Sequence, residues 1–317
     1  MPNAHITGWG MAVPEPVLTN DDISRMVETN DAWIRERTGI RERRIAREDE
    51  FPSTLGVEAS IKALRVANLR PTDLDLIICT SSSPEYIFPA TACLIQDQLG
   101  ATRAGAFDLL AACTGFIFAM NMAAQAIRSG SIKNALVVGT ETLSRFIDWK
   151  DRSTCILFGD GAGAFVLQAS EQPGGVLSAV MRSDGSGGDS LSLPGGGSRH
   201  PATEATVHEG KHYIQMDGKE VFRFATRVMA SATQEALDAA GLTADDIQWI
   251  VPHQANIRII ESAARGLKLP MDRFVVNIDR YGNTSTASIP IAAVEAVEKG
   301  QIKAGDKLVF VGFGGGL

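Results

Sequence analysis

The chain has 317 residues, 44% of them hydrophobic and 21% charged, which allows a large core and excludes a disordered or fibrous chain. Its net charge of −7 gives no support to nucleic-acid binding, which would want an excess of Lys and Arg. Four cysteines without a CxxC or zinc-type spacing read as reduced thiols with no metal, and the start MPNAHITGWGMAVP has no secretory pattern, so the cytoplasm is the expected compartment.

In chain order, the spacing of apolar residues predicts a strand near Ile6 to Met11, a helix around Leu55 to Ala67 and a strand from Leu74 to Thr80. A helix after Pro89, a strand ending near Leu110 and a helix beginning at Cys113 follow, then the strand ALVVGTE from Ala135. FGDGAGAFVLQAS from Phe158 reads as a glycine-rich turn entering a strand. Leu109 to Ile127 holds nineteen residues without a charge, long enough to imitate a membrane span. Asn121, Gln125, Thr114 and Gly115 interrupt it, and a helix buried between two sheets is apolar on all sides, so no membrane is expected. Two segments of weak periodicity, Thr19 to Glu50 and Gly185 to His208, read as surface excursions able to rim a site.

The second half is expected to repeat this order from about Gly175, because the chain echoes itself. FDLLAACTGFIFAMNMAAQAIRSGSIK, from Phe107, aligns without a gap on NIDRYGNTSTASIPIAAVEAVEKGQIK, from Asn277, so that Cys113 falls on Asn283. KALRVANLRPTDLDLIICT, from Lys62, matches EALDAAGLTADDIQWIVPH, from Glu235, which sets Thr80 against His253. One long, diverged repeat implies two similar α/β halves, residues 1–172 and 173–317, with the site in the crevice between them.

Three residues at such places can carry chemistry. Cys113, after an apolar strand and at a helix start, gains from the helix dipole and free N–H groups that favour thiolate; the bland alternative is a small buried hydrophobe. Cys79, Cys93 and Cys155 sit within apolar patterns and take that bland reading. His253 ends the strand IQWIVP, where a neutral imidazole can donate to an oxyanion or assist proton transfer. Asn283, in YGNTSTAS, is a turn or cap residue by type, but its place opposite Cys113 argues for a donor beside the imidazole, a pair suited to an enolate. His5 belongs to the first strand, and His200, His208 and His212 read as solvated. VGFGGGL and FGDGAGA lack the Lys and Ser/Thr of a P-loop, and their glycines suit close backbone approach instead.

Together, AACTGF, VPHQANIR, RYGNTSTAS and the closing GFGGG resemble the β-ketoacyl-acyl carrier protein synthase III family of the thiolase superfamily. TNDAWIRERTGIRERR, FPATACLIQ and the Asp151, Arg152, Thr154 group extend the resemblance over essentially the whole chain. The resemblance implies an α/β thiolase-like fold of duplicated halves in α-β-α-β-α layers, a homodimer, and a Cys113, His253, Asn283 triad. It implies no cofactor, with acyl-CoA and malonyl-acyl carrier protein as substrates of two half-reactions. Cys113 would take the acyl group, and His253 and Asn283 would hold the malonyl thioester oxygen while carbon dioxide leaves. The backbone N–H groups of Cys113 and Gly315 would form the acylation oxyanion hole.

The same resemblance places Thr29, Trp33, Arg37 and Arg152 on the CoA end and Phe222 and Asn256 in the pantetheine tunnel. Phe88, reaching across the dimer, and Leu143 would shape the acyl pocket. Trp33 and Arg37, at i, i+4 spacing, read equally as helix-surface neighbours. Carrier-protein docking wants a local positive area on an acidic enzyme, for which Arg258 and Arg265, seven apart on the helix after HQAN, are candidates with Arg223. Family members run on past GFGGG into a short strand of the TW type; this sequence stops at Leu317, so the expectation is a chain that continues or a disordered end.

The expected activity is therefore a decarboxylating condensation that starts fatty acid synthesis. The alternatives are a relative that primes polyketide or secondary-metabolite assembly or transfers acyl groups, and a non-catalytic protein that binds acyl chains or carrier proteins. Intact HQAN and GNTS motifs favour condensation.

Overall fold

The computed structural model describes residues 1–317. Strand β1 (Asn3–Ala12) is followed by a small hairpin of β2 (Val17–Thr19) and β3 (Glu42–Arg44), which encloses helices α1 (Asn20–Ile23) and α2 (Asp31–Thr38). Helix α3 (Pro52–Ala67) starts with proline at its first position, where the missing N–H costs nothing, and stops at Asn68 in a left-handed conformation. Then come β4 (Leu76–Thr80), α4 (Thr91–Leu99), β5 (Gly105–Asp108), α5 (Gly115–Arg128), β6 (Asn134–Glu141), the short α6 (Arg152–Cys155) and β7 (Gly161–Ser170). The five long strands form one sheet in the order β1-β7-β6-β4-β5, with β5, β4 and β6 parallel and β7 antiparallel to both of its neighbours. β4 and β6 read as unbroken apolar runs because helices cover both faces.

The second half contributes β8 (Leu191–Ser192), α7 (Glu204–His208), β9 (Gln215–Met216), α8 (Gly218–Ala240), β10 (Trp249–Pro252), α9 (Ile257–Leu267), α10 (Ile278–Tyr281), α11 (Ser288–Glu298) and β11 (Leu308–Val311). β10 pairs parallel with β11 and by a single bridge with Phe274, repeating the relation of β4 to β6 and β5. The expected repetition of order is incomplete: residues 177–184, where the counterpart of β1 would fall, form no strand. In the first sheet β1 takes its ladder from β7.

Three apolar layers result. α3 and α4 pack on the outer face of the five-stranded sheet through Leu55, Ala59, Ala63, Ala92 and Ile95. α5 and α11 lie between the two sheets, where Phe116, Ala119, Ala123 and Ile127 meet Ile289, Ala292 and Val294. α8 and α9 close the far face of β10 and β11. The order is α-β-α-β-α. The neutral stretch after Leu109 is thus α5, buried as expected, and no helix is long and apolar enough to cross a membrane. Close layering requires Gly163, where a Cβ would stand 2.6 Å from Pro290 Cβ of α11.

Residues 19–50 are more than the surface excursion the sequence suggested. Arg43 is wholly buried and donates to the carbonyls of Leu18 and Ile156 and to Asn20 Oδ1. With no carboxylate partner, burial pulls its guanidinium down to about 10. Ile23, Ile34 and Ile40 complete a satellite core with Leu143, Ile147 and Phe158.

Candidate active site

Cys113 is the second residue of a single 3₁₀ turn, Ala112–Thr114, that runs into α5; the matching turn before α11 is Ser285–Ala287, so the structure sets Cys113 against Thr286 and not, as the sequence echo suggested, against Asn283, which lies two residues ahead of that turn in a bridge with Phe158. The residue before Cys113 and the one before Asn283 are held at positive φ, Ala112 at 46° and Gly282 at 62°. Such a conformation is strained for alanine, so packing must hold it. The closing glycines supply that packing: a Cβ on Gly314 would lie 2.7 Å from the Cys113 nitrogen, and one on Gly315 would lie 3.5 Å from Ala112 Cβ. Gly314 therefore makes the closest approach to the Cys113 backbone, with Gly315 beside it.

The three candidates share one narrow cavity of about 80 Å³, walled also by Phe158, Leu191, Met216, Val221, Phe222, Asn256, Phe313 and Gly314. Cys113, His253 and Asn283 are all buried. Asn283 Oδ1 accepts from the Ser285 N–H at 2.8 Å, which turns the amide NH₂ to the cavity side. Ser288 Oγ lies 2.7 Å from His253 Nδ1 and accepts from the Gln254 N–H at 3.3 Å. Gln254 satisfies all of its own groups, donating to the carbonyls of Pro252 and Val275 and accepting from Asn277 and Ile278, so the His253 turn is fastened to the start of α10. The Phe313 ring meets the imidazole edge to face at 5.4 Å.

Burial pulls His253 down to about 3, so it is a neutral donor. Burial pushes the Cys113 thiol from 9 up to about 12; a hydrogen bond from Ser285 Oγ to Sγ, at 3.4 Å, opposes this and the Glu141 charge adds to it. The thiolate expected from the helix start is thus corrected. A rise from 9 to about 12 is roughly 4 kcal/mol against ionisation, more than the ~2 kcal/mol a favourable helix end returns.

Away from the cavity, Trp33 is placed by Asn30, which caps α2 and accepts the Trp33 N–H. Arg152 stands 5.0 Å and Arg37 6.0 Å from the Trp33 ring centre, and Arg152 also donates to the Glu28 carbonyl. The i, i+4 pair is therefore part of a cationic stack. The Thr29 hydroxyl is turned inward without a partner. Asn256 caps α9 and donates to the Arg37 carbonyl, tying the α2 segment to the cavity wall. Phe88 is 83% exposed beside Ile87 at 84%, whereas Leu143 is buried in the satellite core and does not line the cavity. Arg258, over the Phe222 ring, and Arg265 are exposed on α9; Arg223 is paired with Glu220. His212 is not simply solvated, since its Nε2 meets Thr206 Oγ1 at 2.9 Å. No group of three or more His, Cys, Asp or Glu side chains is arranged to hold a metal ion.

Sequence reasoning passed over Ser285 and Ser288, although both lie in YGNTSTAS, and over Glu141, an acid ending an otherwise apolar strand.

Residues 107–185 match the family model described as 3-oxoacyl-[acyl-carrier-protein] synthase III, and residues 237–317 match its C-terminal counterpart. The chain is 54% identical over 312 residues to a beta-ketoacyl-[acyl-carrier-protein] synthase III of Symbiobacterium thermophilum, covering 98% of this chain and 94% of the relative. It is 52% identical over 314 residues to the protein of that name from Roseiflexus sp. strain RS-1, covering 99% and 95%. The crystal structure of 3-oxoacyl-[acyl-carrier-protein] synthase III from Aquifex aeolicus superposes with a TM-score of 0.91 at 46% identity, covering 99% of this chain and 97% of that one.

Proposed function

Because the chain belongs to the 3-oxoacyl-[acyl-carrier-protein] synthase III family, we propose that Cys113, His253 and Asn283 carry its condensation. The enzyme starts fatty acid synthesis by joining an acyl primer to a malonyl unit with loss of carbon dioxide. The observation that carries the residue assignment is the single cavity onto which a buried thiol, a neutral imidazole and an oriented amide all open.

Cys113 Sγ attacks the thioester carbon of acyl-CoA, and CoA leaves to give an acyl-enzyme. Malonyl-acyl carrier protein then enters. His253 Nε2–H and Asn283 Nδ2–H donate to its thioester oxygen, and the enolate they stabilise forms as the C–CO₂ bond breaks. A neutral imidazole suits that step, because an imidazolium would protonate the carbanion before it attacks. The carbanion adds to the acyl-cysteine, releasing the 3-oxoacyl-carrier protein and the free thiol. Both steps are redox-neutral and draw on thioester activation, so no cofactor enters them.

The tunnel walls Phe222 and Asn256 fit a pantetheine arm, the Trp33 stack fits an adenine ring, and the exposed α9 arginines fit an acidic carrier protein. β5 is an edge strand, and Phe107, Leu110, Ile87 and Phe88 lie exposed on or beside it, which supports a homodimer closed along this edge. The cytoplasm is the compartment where these substrates are expected. A polyketide-priming role is not favoured, since relatives near half identical over the full length are synthase III enzymes. A binding-only role is disfavoured by the presence of all three chemical groups.

The deciding experiment is intact-protein mass after incubation with a panel of acyl-CoAs, with Cys113→Ala alongside, then addition of malonyl-acyl carrier protein. An adduct confined to Cys113 that clears with release of carbon dioxide supports the assignment. Adducts that never clear point to acyl transfer, and their absence to a binding protein.

A further inference from the structure

Ser285 is buried against the Cys113 sulfur and has no part in the mechanism above. Its hydroxyl donates to Cys113 Sγ at 3.4 Å, the one side-chain hydrogen bond that the sulfur makes. The titratable and charged groups nearby do not help the sulfur to carry charge. No Lys or Arg lines the cavity, His253 is neutral and engaged at Nδ1 by Ser288, and the buried Glu141 at the end of β6 brings a like charge.

The turn holds that hydroxyl in place. The Ser285 N–H donates to Asn283 Oδ1 at 2.8 Å, and the residue is fixed at φ 48°, a left-handed conformation that serine rarely adopts. The next residue, Thr286, meets Thr80 Oγ1 through its own hydroxyl at 2.6 Å, and Thr80 Oγ1 donates to the Val138 carbonyl at 3.3 Å, which pins the turn to β4 and β6. Gly139 of β6 permits this approach, since a Cβ there would stand 2.8 Å from the Thr286 carbonyl oxygen. A donor held in this way needs no reorganisation when charge arrives on its acceptor.

We propose that Ser285 is a catalytic residue that donates to Cys113 Sγ while the sulfur bears charge, as it attacks the acyl thioester and again as condensation expels it. This rests on the assignment of Cys113 as the nucleophile. In acylation the bond from Sγ to the acyl carbon forms, the bond from that carbon to the CoA sulfur breaks, and the thiol proton ends on CoA. In condensation the carbanion makes the C–C bond, and the acyl carbon's bond to Sγ breaks with its electron pair left on sulfur. The thiolate then takes up one proton from solvent, the proton that the overall reaction consumes. Ser285 keeps its own proton throughout. A donor that favours thiolate also weakens each thiolate as a nucleophile, but by roughly half of the gain on a logarithmic scale, so attack is still faster with it.

The test measures alkylation of Cys113 by iodoacetamide between pH 7 and pH 9, read by peptide mass, beside acyl-enzyme formation from acyl-CoA by rapid quench, in the wild type and in Ser285→Ala. Both sulfur reactions are expected to slow about 3- to 10-fold in the variant, the net of fewer thiolates and their higher individual reactivity. Iodoacetamide needs neither CoA binding nor the enolate donors, so a variant whose Cys113 is alkylated as fast as in the wild type overturns the role, whatever its acylation rate. Alanine is accommodated at this conformation in the matching turn, where Ala112 has φ 46°. If Ser285→Ala nevertheless fails to fold, Ser285→Gly, which suits a left-handed position and also lacks the hydroxyl, decides in its place. A wild type alkylated at Cys113 that forms no acyl adduct there removes the nucleophile assignment instead, a separate failure.

Discussion

Ser288 Oγ stands 2.7 Å from Nδ1 of His253 while accepting the N–H of Gln254, so its own hydrogen can turn to the imidazole. That arrangement puts the ring proton on Nε2, the nitrogen that the proposed mechanism turns to the malonyl thioester. Ser288→Ala is expected to slow malonyl decarboxylation about tenfold or more while sparing transfer of acyl groups from acyl-CoA to Cys113. Single-turnover measurement of the two half-reactions separates these effects; equal loss in both would remove the tautomer argument.

On the proposed mechanism, His253→Ala and Asn283→Ala each delete one donor to the developing enolate. Each should lower decarboxylation about 10²- to 10³-fold, with acyl-enzyme formation retained. Release of labelled carbon dioxide from malonyl-acyl carrier protein is the measurement.

Stability against pH provides a further check. His253, depressed from 6.5 to about 3, contributes stability that is present above pH 6.5 and lost as pH falls toward 3. Glu141, raised from 4.5 to about 7, works in the other direction, its contribution being present below pH 4.5 and lost as pH rises through 7. Between pH 7 and pH 5 the two oppose each other by roughly 2 kcal/mol apiece. Denaturant unfolding at both values should therefore show a smaller loss of stability on acidification for His253→Asn than for the wild type, and a larger one for Glu141→Gln.

Trp33→Ala should raise KM for acyl-CoA about 3- to 30-fold with little change in kcat, the range expected on losing a ring stacked by Arg152 and Arg37. An acyl-pantetheine substrate, which lacks the adenine, should show no such difference between variant and wild type.

Arg258→Glu should raise KM for malonyl-acyl carrier protein several-fold and weaken its salt dependence, leaving acyl-CoA kinetics unchanged. Arg223→Ala should do less, because Glu220 already neutralises that charge. Titrating the carrier protein at two ionic strengths tests both.

Much of this architecture was legible because it is written in periodicity. The strand at Leu76–Thr80 and the buried α5 follow from apolar spacing, whereas the ungapped echo set Cys113 on Asn283 and the structure sets it on Thr286, because α11 starts one turn later than α5 relative to that echo. What escaped depends on tertiary contact. The burial that lifts Cys113 comes from layers remote in sequence, so a helix start seen alone suggested the opposite shift. Arg43 looked like one charge among many in Thr19 to Glu50, yet its partners are Leu18, Asn20 and Ile156.

The turns before α5 and α11 are one element used twice: each opens on a left-handed residue, Ala112 at φ 46° and Ser285 at φ 48°, and runs straight into its helix. What each copy sets beside the cavity differs. The first turn carries the Cys113 sulfur as its second residue, whereas Thr286 holds that place in the second and Asn283 stands just ahead of the turn. On the proposed mechanism the two halves therefore bring an electron-pair donor and a hydrogen-bond donor to one cavity from helix starts that share a shape without sharing a register.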